Sequence, residues 1–381
     1  MNISKKPITW IEINQKAFNH NIACFKKIIG PHVALAPVIK SNAYGHGLNL
    51  IAELCEKNNN MQWLCTVSLS EAIQVRKYTP SKSILVLSII DDDLERALEH
   101  AIDLVVYDIS MVIALNDVAK KYNKKAYIHI KVDTGLSRLG VLHSQILDFI
   151  TQVLKLEYII IRALFTHLAE SENNKSSFSH KQISLFNDII TRLESKNIQI
   201  PLKHISCSAA LTTLPTSHFT LARLGIGIYG LWPSLDNKKV VEDKYPDFSL
   251  QPVLTWKTRI IQIKEIPALS YIGYDRTYLT LKPTKIAILP VGYWDGYDRL
   301  LSNKGFVLIN NSLAPIRGRI AMNMMMVDVT NIASLQTNDS VTLLGNNPLI
   351  DASNLANLCS TINYEITTKI NPLLPRIVTN D

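Results

Sequence analysis

Lys40 closes an apolar run, Val33-Ala34-Leu35-Ala36-Pro37-Val38-Ile39, and is followed at once by Ser41-Asn42-Ala43-Tyr44-Gly45-His46-Gly47. An amine at the carboxyl end of a buried strand, beside a tight Gly-rich turn, is placed for Schiff-base chemistry with a carbonyl compound. A lysine taken alone is more often a solvated residue that ends a strand. The other strand ends decide between the two readings. The strand candidate at 126–132, fifth in order, gives Lys131-Val132-Asp133-Thr134-Gly135-Leu136-Ser137-Arg138-Leu139-Gly140 at its end, and the sixth, at 158–165, gives Thr166-His167. The seventh, at 203–206, gives Ser206-Cys207-Ser208-Ala209, and the eighth, at 221–228, gives Arg223-Leu224-Gly225-Ile226-Gly227-Ile228-Tyr229-Gly230. Polar groups recur at one end of the strands, whereas chance would scatter them over both.

Gly225, Gly227 and Gly230 match G-x-G-x-x-G, a weak dinucleotide signal when it stands alone. It follows a late strand and runs into Leu231-Trp232-Pro233, which does not start a helix. A small phosphate nest is the better reading. The N–H groups of Gly225 and Ile226, with the Ser208 hydroxyl, then hold one phosphate. A Gly-rich turn with no ligand is the plain alternative. Lys40 plus one phosphate nest points to pyridoxal 5′-phosphate, whose aldehyde condenses with a lysine amine. The group facing the pyridine nitrogen tunes the cofactor as an electron sink. Strand eight offers no carboxylate there; it offers Arg223, whose guanidinium only donates hydrogen bonds. The ring nitrogen is then unprotonated and the sink weaker, with fewer side reactions.

These residues need a scaffold that brings eight strand ends together. Strand candidates are 33–39, 61–67, 83–89, 104–107, 126–132, 158–165, 203–206 and 221–228, alternating with helical spacing over 48–57, 69–78, 93–99, 109–122, 144–156 and 181–195. Helix 15–29 precedes the first. Repeated βα units predict an α/β fold, a (β/α)8 TIM-type barrel, with an open doubly wound sheet as the fallback. Residues 236–248 read as a polar linker. Beyond them lie strands at 253–263, 285–291, 305–309, 314–316, 324–329 and 340–344, with one short helix at 351–358. The expected domains are a barrel over 1–240 and a mostly β C-terminal domain over 241–381. Residues 1–14 are expected to pair with the latter.

The 381 residues are 47% hydrophobic and 19% charged, as in ordinary globular enzymes. A net charge of +8 is spread without basic blocks, which argues against nucleic acid and favours anionic small molecules. Five cysteines, Cys24, Cys55, Cys65, Cys207 and Cys359, show neither a CxxC nor metal-ligand spacing, so a reduced cytoplasmic setting is expected and no metal. Lys5 and Lys6 precede an interrupted apolar segment, unlike a signal peptide. No apolar stretch is long enough to cross a bilayer.

The chain resembles the bacterial alanine racemases over nearly its whole length. The resemblance is carried in order by VIKSNAYGHG (38–47), KVDTGLSRLG (131–140), THLAE (166–170), ISCSAA (205–210), ARLGIGIYG (222–230), GYDRTY (273–278), VGYWDGYDR (291–299), IRGRIAMN (316–323) and INYEI (362–366). It implies a pyridoxal phosphate barrel plus a β domain, working as a homodimer with active sites shared between subunits. It implies Lys40 as cofactor carrier and one base, and Tyr274, from the partner subunit, as the second. Tyr44, Ser208, Gly225, Ile226 and Tyr364 match phosphate-contacting positions. Arg223 matches the arginine at the pyridine nitrogen, and His167 the residue against the ring. Arg138 and the backbone of Met322 match groups that hold the substrate carboxylate, Tyr293 an aromatic at the mouth of the site, and Lys131 a position carbamylated in some members.

Two bases have a physical logic. Racemisation removes a proton from one face of a planar carbanion and returns one to the other; a single group returns its proton mostly to the face it came from. The implied activity is interconversion of L- and D-alanine, supplying D-alanine for peptidoglycan. The sequence departs from the family pattern at Cys207 (usually Asn), Leu224 (often Pro), Asp275 (often Gly) and Asn323 (usually Asp). These departures lead us to expect slower or broader racemisation. Tyr271 is a second candidate near Tyr274. Rival readings are a broad-specificity racemase on the same fold, a related decarboxylase, which Arg223 argues against, and a non-catalytic cofactor carrier, which the β domain argues against.

Overall fold

The computed structural model describes residues 7–173 and 176–380, so Lys5 and Lys6 lie outside the described residues. The chain divides into two units. One comprises Asn19–Ala43 and Leu48–Leu250; the other comprises the N-terminal segment through Phe18, Tyr44–Gly47 and everything from Gln251.

The first strand, Trp10–Asn14 (β1), leads directly into helix Gln15–Ile29. The first unit is built on β2 (Ala34–Pro37), β3 (Trp63–Ser68), β4 (Ser83–Ile89), β5 (Ile102–Val106), β6 (Ala126–Asp133), the two-residue β7 (Val141–Leu142), β8 (Ile159–Phe165), β9 (Leu202–His204) and β10 (Leu221–Leu224). Strands β3, β4, β5, β6, β8 and β9 pair in parallel in that order, and β10 pairs in parallel with β2. A parallel bridge from Val38 to Cys65 joins β2 to β3, and Thr220 N donates to Lys203 O between β9 and β10. The ring of eight parallel strands expected from the βα repeat is thereby closed.

The local causes are legible. Strands covered on both faces read as apolar runs: Ile84, Leu85 and Val86 are fully buried, and all five residues of β5 are buried. Helix Leu69–Arg76 starts at Ser68, whose hydroxyl accepts from Glu71 N, and helix Ile109–Lys121 starts at Asp108, which accepts from Ser110 N and Met111 N. Against this apolar background the polar strand residues Asp103, His129, Lys131, His204 and Arg223 are all buried. Their burial marks the inside of the ring as chemically equipped.

The second unit carries β11 (Leu254–Arg259), β12 (Gln262–Ile266), β13 (Tyr271–Ile272), β14 (Tyr278–Leu279), β15 (Thr284–Leu289), β16 (Phe306–Ile309), β17 (Ser312–Pro315), β18 (Met325–Asp328), β19 (Ser340–Leu344) and β20 (Arg376–Thr379). Strand β1 lies between β11, antiparallel, and β20, parallel, in a six-stranded sheet, while β12, β15 and β18 form a second, antiparallel sheet. Ile11, Ile13 and Trp256 centre its core.

Four expectations are corrected. Residues expected as a polar linker fold as helix Leu235–Lys244, because Ser234 caps it through Asn237 N and it buries Val241. The strand expected over 253–263 is two strands: Ile260 N turns to Asp339 O and Ile261 N to Ile288 O, so the chain changes sheets there. The strand expected to reach Ile228 ends at Leu224, and 226–229 is a tight 3-10 turn. A second helix, Asn363–Thr368, follows Ala352–Leu358. No described helix is long and apolar enough to cross a membrane.

Candidate active site

Lys40 stands three residues beyond β2, and three contacts hold the intervening Val38 and Ile39. Val38 N donates to Leu224 O, Ile39 N donates to Cys65 O, and the buried Tyr229 hydroxyl donates to Val38 O at 3.0 Å. The residues after Lys40 do not form the ordinary Gly-rich turn that the sequence suggests. Ser41, Asn42, Ala43 and Tyr44 all have φ between 52° and 55°, a left-handed turn built without glycine. Each such residue costs about 1–2 kcal/mol for an L-amino acid, so surrounding groups must enforce it. Glu71 accepts from Ser41 N at 2.7 Å through Oε1 and from Val67 N at 3.0 Å through Oε2, and Asn42 Oδ1 accepts from Leu48 N. The turn fixes where Lys40 sits.

Arg223, on β10, is buried. Its NH2 donates to Thr166 O at 2.9 Å, to Ile205 O at 3.1 Å and to His167 Nδ1 at 3.2 Å; its NH1 donates to His204 Nδ1. Since guanidinium has no acceptor, both imidazoles must present a lone pair to it. His167 is neutral: burial pushes it well below the usual histidine range, and Arg223, Arg138, Lys131 and Lys40 push the same way. Gln182 pins the loop after β8, donating to His167 O and Thr134 Oγ1 and accepting from Ala169 N.

Ser208 Oγ accepts from Gly225 N at 3.0 Å and Gly227 N at 3.1 Å. A hydroxyl with both lone pairs so occupied has its proton left to donate, and an anion is the partner that suits it. A side chain at Gly227 would put its Cβ 2.5 Å from the Phe25 ring, so only glycine fits that turn. The expected nest is thus altered in one detail: the Gly225 N–H is engaged with Ser208.

Arg138 lies on a loop shaped by Asp133, whose Oδ1 accepts from Gly135 N and Ser137 N. Arg138 is exposed, yet its charge reaches Lys40, Lys131 and His167. Burial, then Arg138, lowers the Lys40 amine from the usual lysine range, opposed by Glu71. Lys131 falls to about 8 through burial and then Arg138 and Arg223, with Asp133 opposing. Four cations, Lys40, Lys131, Arg138 and Arg223, thus meet at one end of the barrel. Such a field draws anions, and two mutually repelling amines are readied as nucleophile or base.

The other unit holds the remaining candidates. Tyr44 and Tyr364 have ring centroids 6.1 Å apart. Tyr274 opens a tight turn and is 70% exposed. The following residue, Asp275, has φ 59°, a left-handed geometry that glycine adopts most easily, and its carboxylate pairs with Arg319 at 3.3 Å and Arg299 at 3.6 Å. Tyr271 instead lies in β13, with the Arg276 guanidinium 5.7 Å from its ring centroid. Met322 O accepts from Trp294 N, so its N–H is the backbone group fit to hold a carboxylate. Tyr293 borders a cleft of about 610 Å³ that Gly296, Asp298, Arg299 and Lys369 also line.

The strand ends alone do not point to Glu71, Gln182 and His204, nor to His129 and Asp103 behind His204. Polar residues inside otherwise apolar strands, as in Ala126-Tyr127-Ile128-His129-Ile130-Lys131 and Ile102-Asp103-Leu104-Val105-Val106, were the available signal.

The family described as "Alanine racemase, N-terminal domain" matches residues 13–233, and "Alanine racemase, C-terminal domain" matches residues 253–378. An alanine racemase of Halothermothrix orenii is 37% identical over 371 residues, 97% of this chain and 96% of the relative. The structure of the alanine racemase of Clostridium difficile 630 superposes with a TM-score of 0.92 at 30% identity, covering 99% of this chain and 97% of that one. That of the alanine racemase of Bartonella henselae, with covalently bound pyridoxal phosphate, gives 0.85 at 26% identity, covering 98% and 100%.

Proposed function

The chain belongs to the alanine racemase family, and we propose that it interconverts L- and D-alanine with pyridoxal 5′-phosphate as cofactor and with Lys40 and Tyr274 as the two bases. The observation that carries this reading is the amine of Lys40, lowered in pKa and set by a clamped turn at a strand end among Lys131, Arg138 and Arg223.

The residues suit this cofactor. Ser208 and Ile226, with Tyr44 and Tyr364, are proposed to take its phosphate, with Gly225 orienting the Ser208 hydroxyl toward it, His167 its ring face, and Arg223 its ring nitrogen, to which the arginine can only donate. When bound, pyridoxal phosphate supplies an aldehyde carbon for a lysine amine and an electron-withdrawing ring for charge at the substrate α carbon. Arg223 leaves that ring a modest sink, which suits reversible proton exchange and argues against decarboxylation. Arg138 and the Met322 N–H orient the substrate carboxylate, and Tyr293 bounds the mouth of the site. Lys40 Nζ removes or returns the α proton on one face, and Tyr274 Oη on the other.

The exposed Tyr274 supports a homodimer in which this phenol serves the partner's site. The five cysteines, all unpaired, support a reducing cytoplasmic setting, and D-alanine for peptidoglycan is the proposed product use. The test is direct. Purified protein supplied with pyridoxal phosphate is expected to turn yellow, to be trapped by borohydride at Lys40 on peptide mapping, and to convert L-alanine to D-alanine on chiral chromatography. A colourless protein that leaves alanine unchanged overturns the reading.

A further inference from the structure

A column of buried polar side chains runs through the inside of the barrel behind Arg223. Arg223 NH1 donates to His204 Nδ1. His204 Nε2 lies 3.0 Å from His129 Nδ1, and His129 Nε2 lies 3.1 Å from Asp103 Oδ2. Arg162 NH1 then donates to both oxygens of Asp103 at 2.9 Å. Arg223, His204, His129 and Asp103 are each at most 4% exposed. The rings are held from the side: Phe165 stacks on His204 with centroids 4.5 Å apart and planes 6° apart, and Trp63 meets His129 edge-on at 5.2 Å.

Every link has one permitted direction. Guanidinium donates only, so His204 Nδ1 is an acceptor. A neutral His204 then carries its proton on Nε2 and donates to His129 Nδ1. His129 likewise carries its proton on Nε2 and donates to Asp103. Protonating either ring would set two donors against each other. Both rings are accordingly depressed, His129 by burial against the pull of Asp103, and His204 by burial and Arg223. None of the hydrogen-bond acceptors around Arg223 is a carboxylate. A buried charge without a direct counter-ion is costly, and well-packed apolar residues would have filled this layer at less cost. The column connects the guanidinium to a carboxylate through two neutral imidazoles, each of which polarises the next.

We propose that His204, His129 and Asp103 are positioning residues for Arg223, forming a one-way hydrogen-bond column that fixes the guanidinium's aim and supplies its charge with a remote carboxylate. The proposal rests on the reading of Arg223 as donor to the cofactor's ring nitrogen. Cutting the column at His129 frees His204 to move its proton to Nδ1, where it opposes Arg223. The guanidinium then loses one of its acceptors and shifts, while the groups that bind substrate stay in place.

The test combines tautomers and kinetics. In cofactor-free protein labelled with 15N-histidine, long-range proton–nitrogen correlation is expected to show His129 and His204 neutral and protonated on Nε2, with no titration between about pH 6 and 8. His129→Leu is expected to move part of the His204 proton to Nδ1. In the holoenzyme it is expected to lower kcat for alanine about tenfold with KM held within about twofold. His129→Gln, whose amide accepts from His204 and donates to Asp103, is expected to restore the tautomer and bring kcat to within about threefold of the native value. Finding either native ring protonated on Nδ1 or charged overturns the column. An unchanged kcat in His129→Leu overturns the positioning role. Should that variant fail to fold, Asp103→Asn, which turns an amide donor toward Arg162, is read the same way, and unchanged tautomers with unchanged kcat overturn the proposal. If the holoenzyme forms no adduct at Lys40, the functional reading fails while the tautomers still decide the column.

Discussion

Glu71 Oε1 accepts from Ser41 N at 2.7 Å, so a carboxylate near the start of a helix clamps the left-handed turn immediately behind Lys40. The same carboxylate reaches Val67 N and raises the Lys40 amine against its burial. Four consecutive non-glycine residues in left-handed geometry need such an anchor. Glu71→Ala is expected to lower the unfolding free energy by about 1–3 kcal/mol, because the backbone donors of Ser41, Asn42 and Val67 lose a charged acceptor. It is also expected to slow borohydride trapping at Lys40. Urea unfolding of the cofactor-free protein and trapping of the holoprotein measure the two effects separately. Unchanged stability would show that the turn holds itself.

Tyr274 and Tyr271 lie three residues apart, but they are presented differently. Both are exposed, but Tyr271 is paired in β13 with the Arg276 guanidinium 5.7 Å from its ring centroid, whereas Tyr274 opens a turn. Tyr274→Phe is expected to cut racemisation at least about a hundredfold in both directions, the scale of losing a positioned acid–base group. Tyr271→Phe is expected to remain within about threefold, since it loses only a peripheral hydroxyl. Alanine turnover from each enantiomer decides; the reverse ranking transfers the second base to Tyr271.

Much of this architecture is legible in the sequence because parallel strands covered on both faces announce themselves as apolar runs. Lys40, Arg223 and Ser208 stand at or just beyond the ends of such runs, and Ser208 does meet Gly225. The left-handed turn at Ser41–Tyr44 was not legible, because none of its residues is glycine and its cause, Glu71, is about 30 positions away. Helix Leu235–Lys244 was hidden by its polar composition; a serine cap and a few buried contacts sufficed to form it. His204, His129 and Asp103 were passed over because a single polar residue in an apolar strand carries no partner information. The register supplies it, placing His129 beside Val105 and His204 beside Phe165.

Burial holds His129, His167 and His204 below the ordinary value of 6.5. Unfolded, each ring takes up a proton as the pH falls through that value; folded, each resists. The unfolded state then binds more protons, so stability falls as pH drops below about 6.5, by up to about 1.4 kcal/mol per pH unit for each ring. Urea midpoints of the cofactor-free protein are expected to decline between about pH 7 and 5.5. His204→Phe is expected to flatten that decline by one ring's share, whatever it does to absolute stability. A flat profile in the native protein would mean that these rings protonate in place.

Lys131 gives the opposite end of the pH scale. Burial, with Arg138 and Arg223 assisting, lowers its amine from 10.5 to about 8. Below about 8 the lysine is charged in both states, and the folded protein bears the full cost of burying that charge. Between about 8 and 10.5 the folded amine is neutral while the unfolded one is still protonated, so stability from this group rises with pH. Lys131→Met removes the cost without removing the aliphatic stem. Its gain over the native protein is expected to be largest below about pH 8 and to shrink steadily toward pH 10.5. Paired denaturation curves across that window measure the difference directly and cancel every other titrating group that the two proteins share. A gain that does not change with pH would place the effect in packing and return the Lys131 amine to the ordinary lysine range.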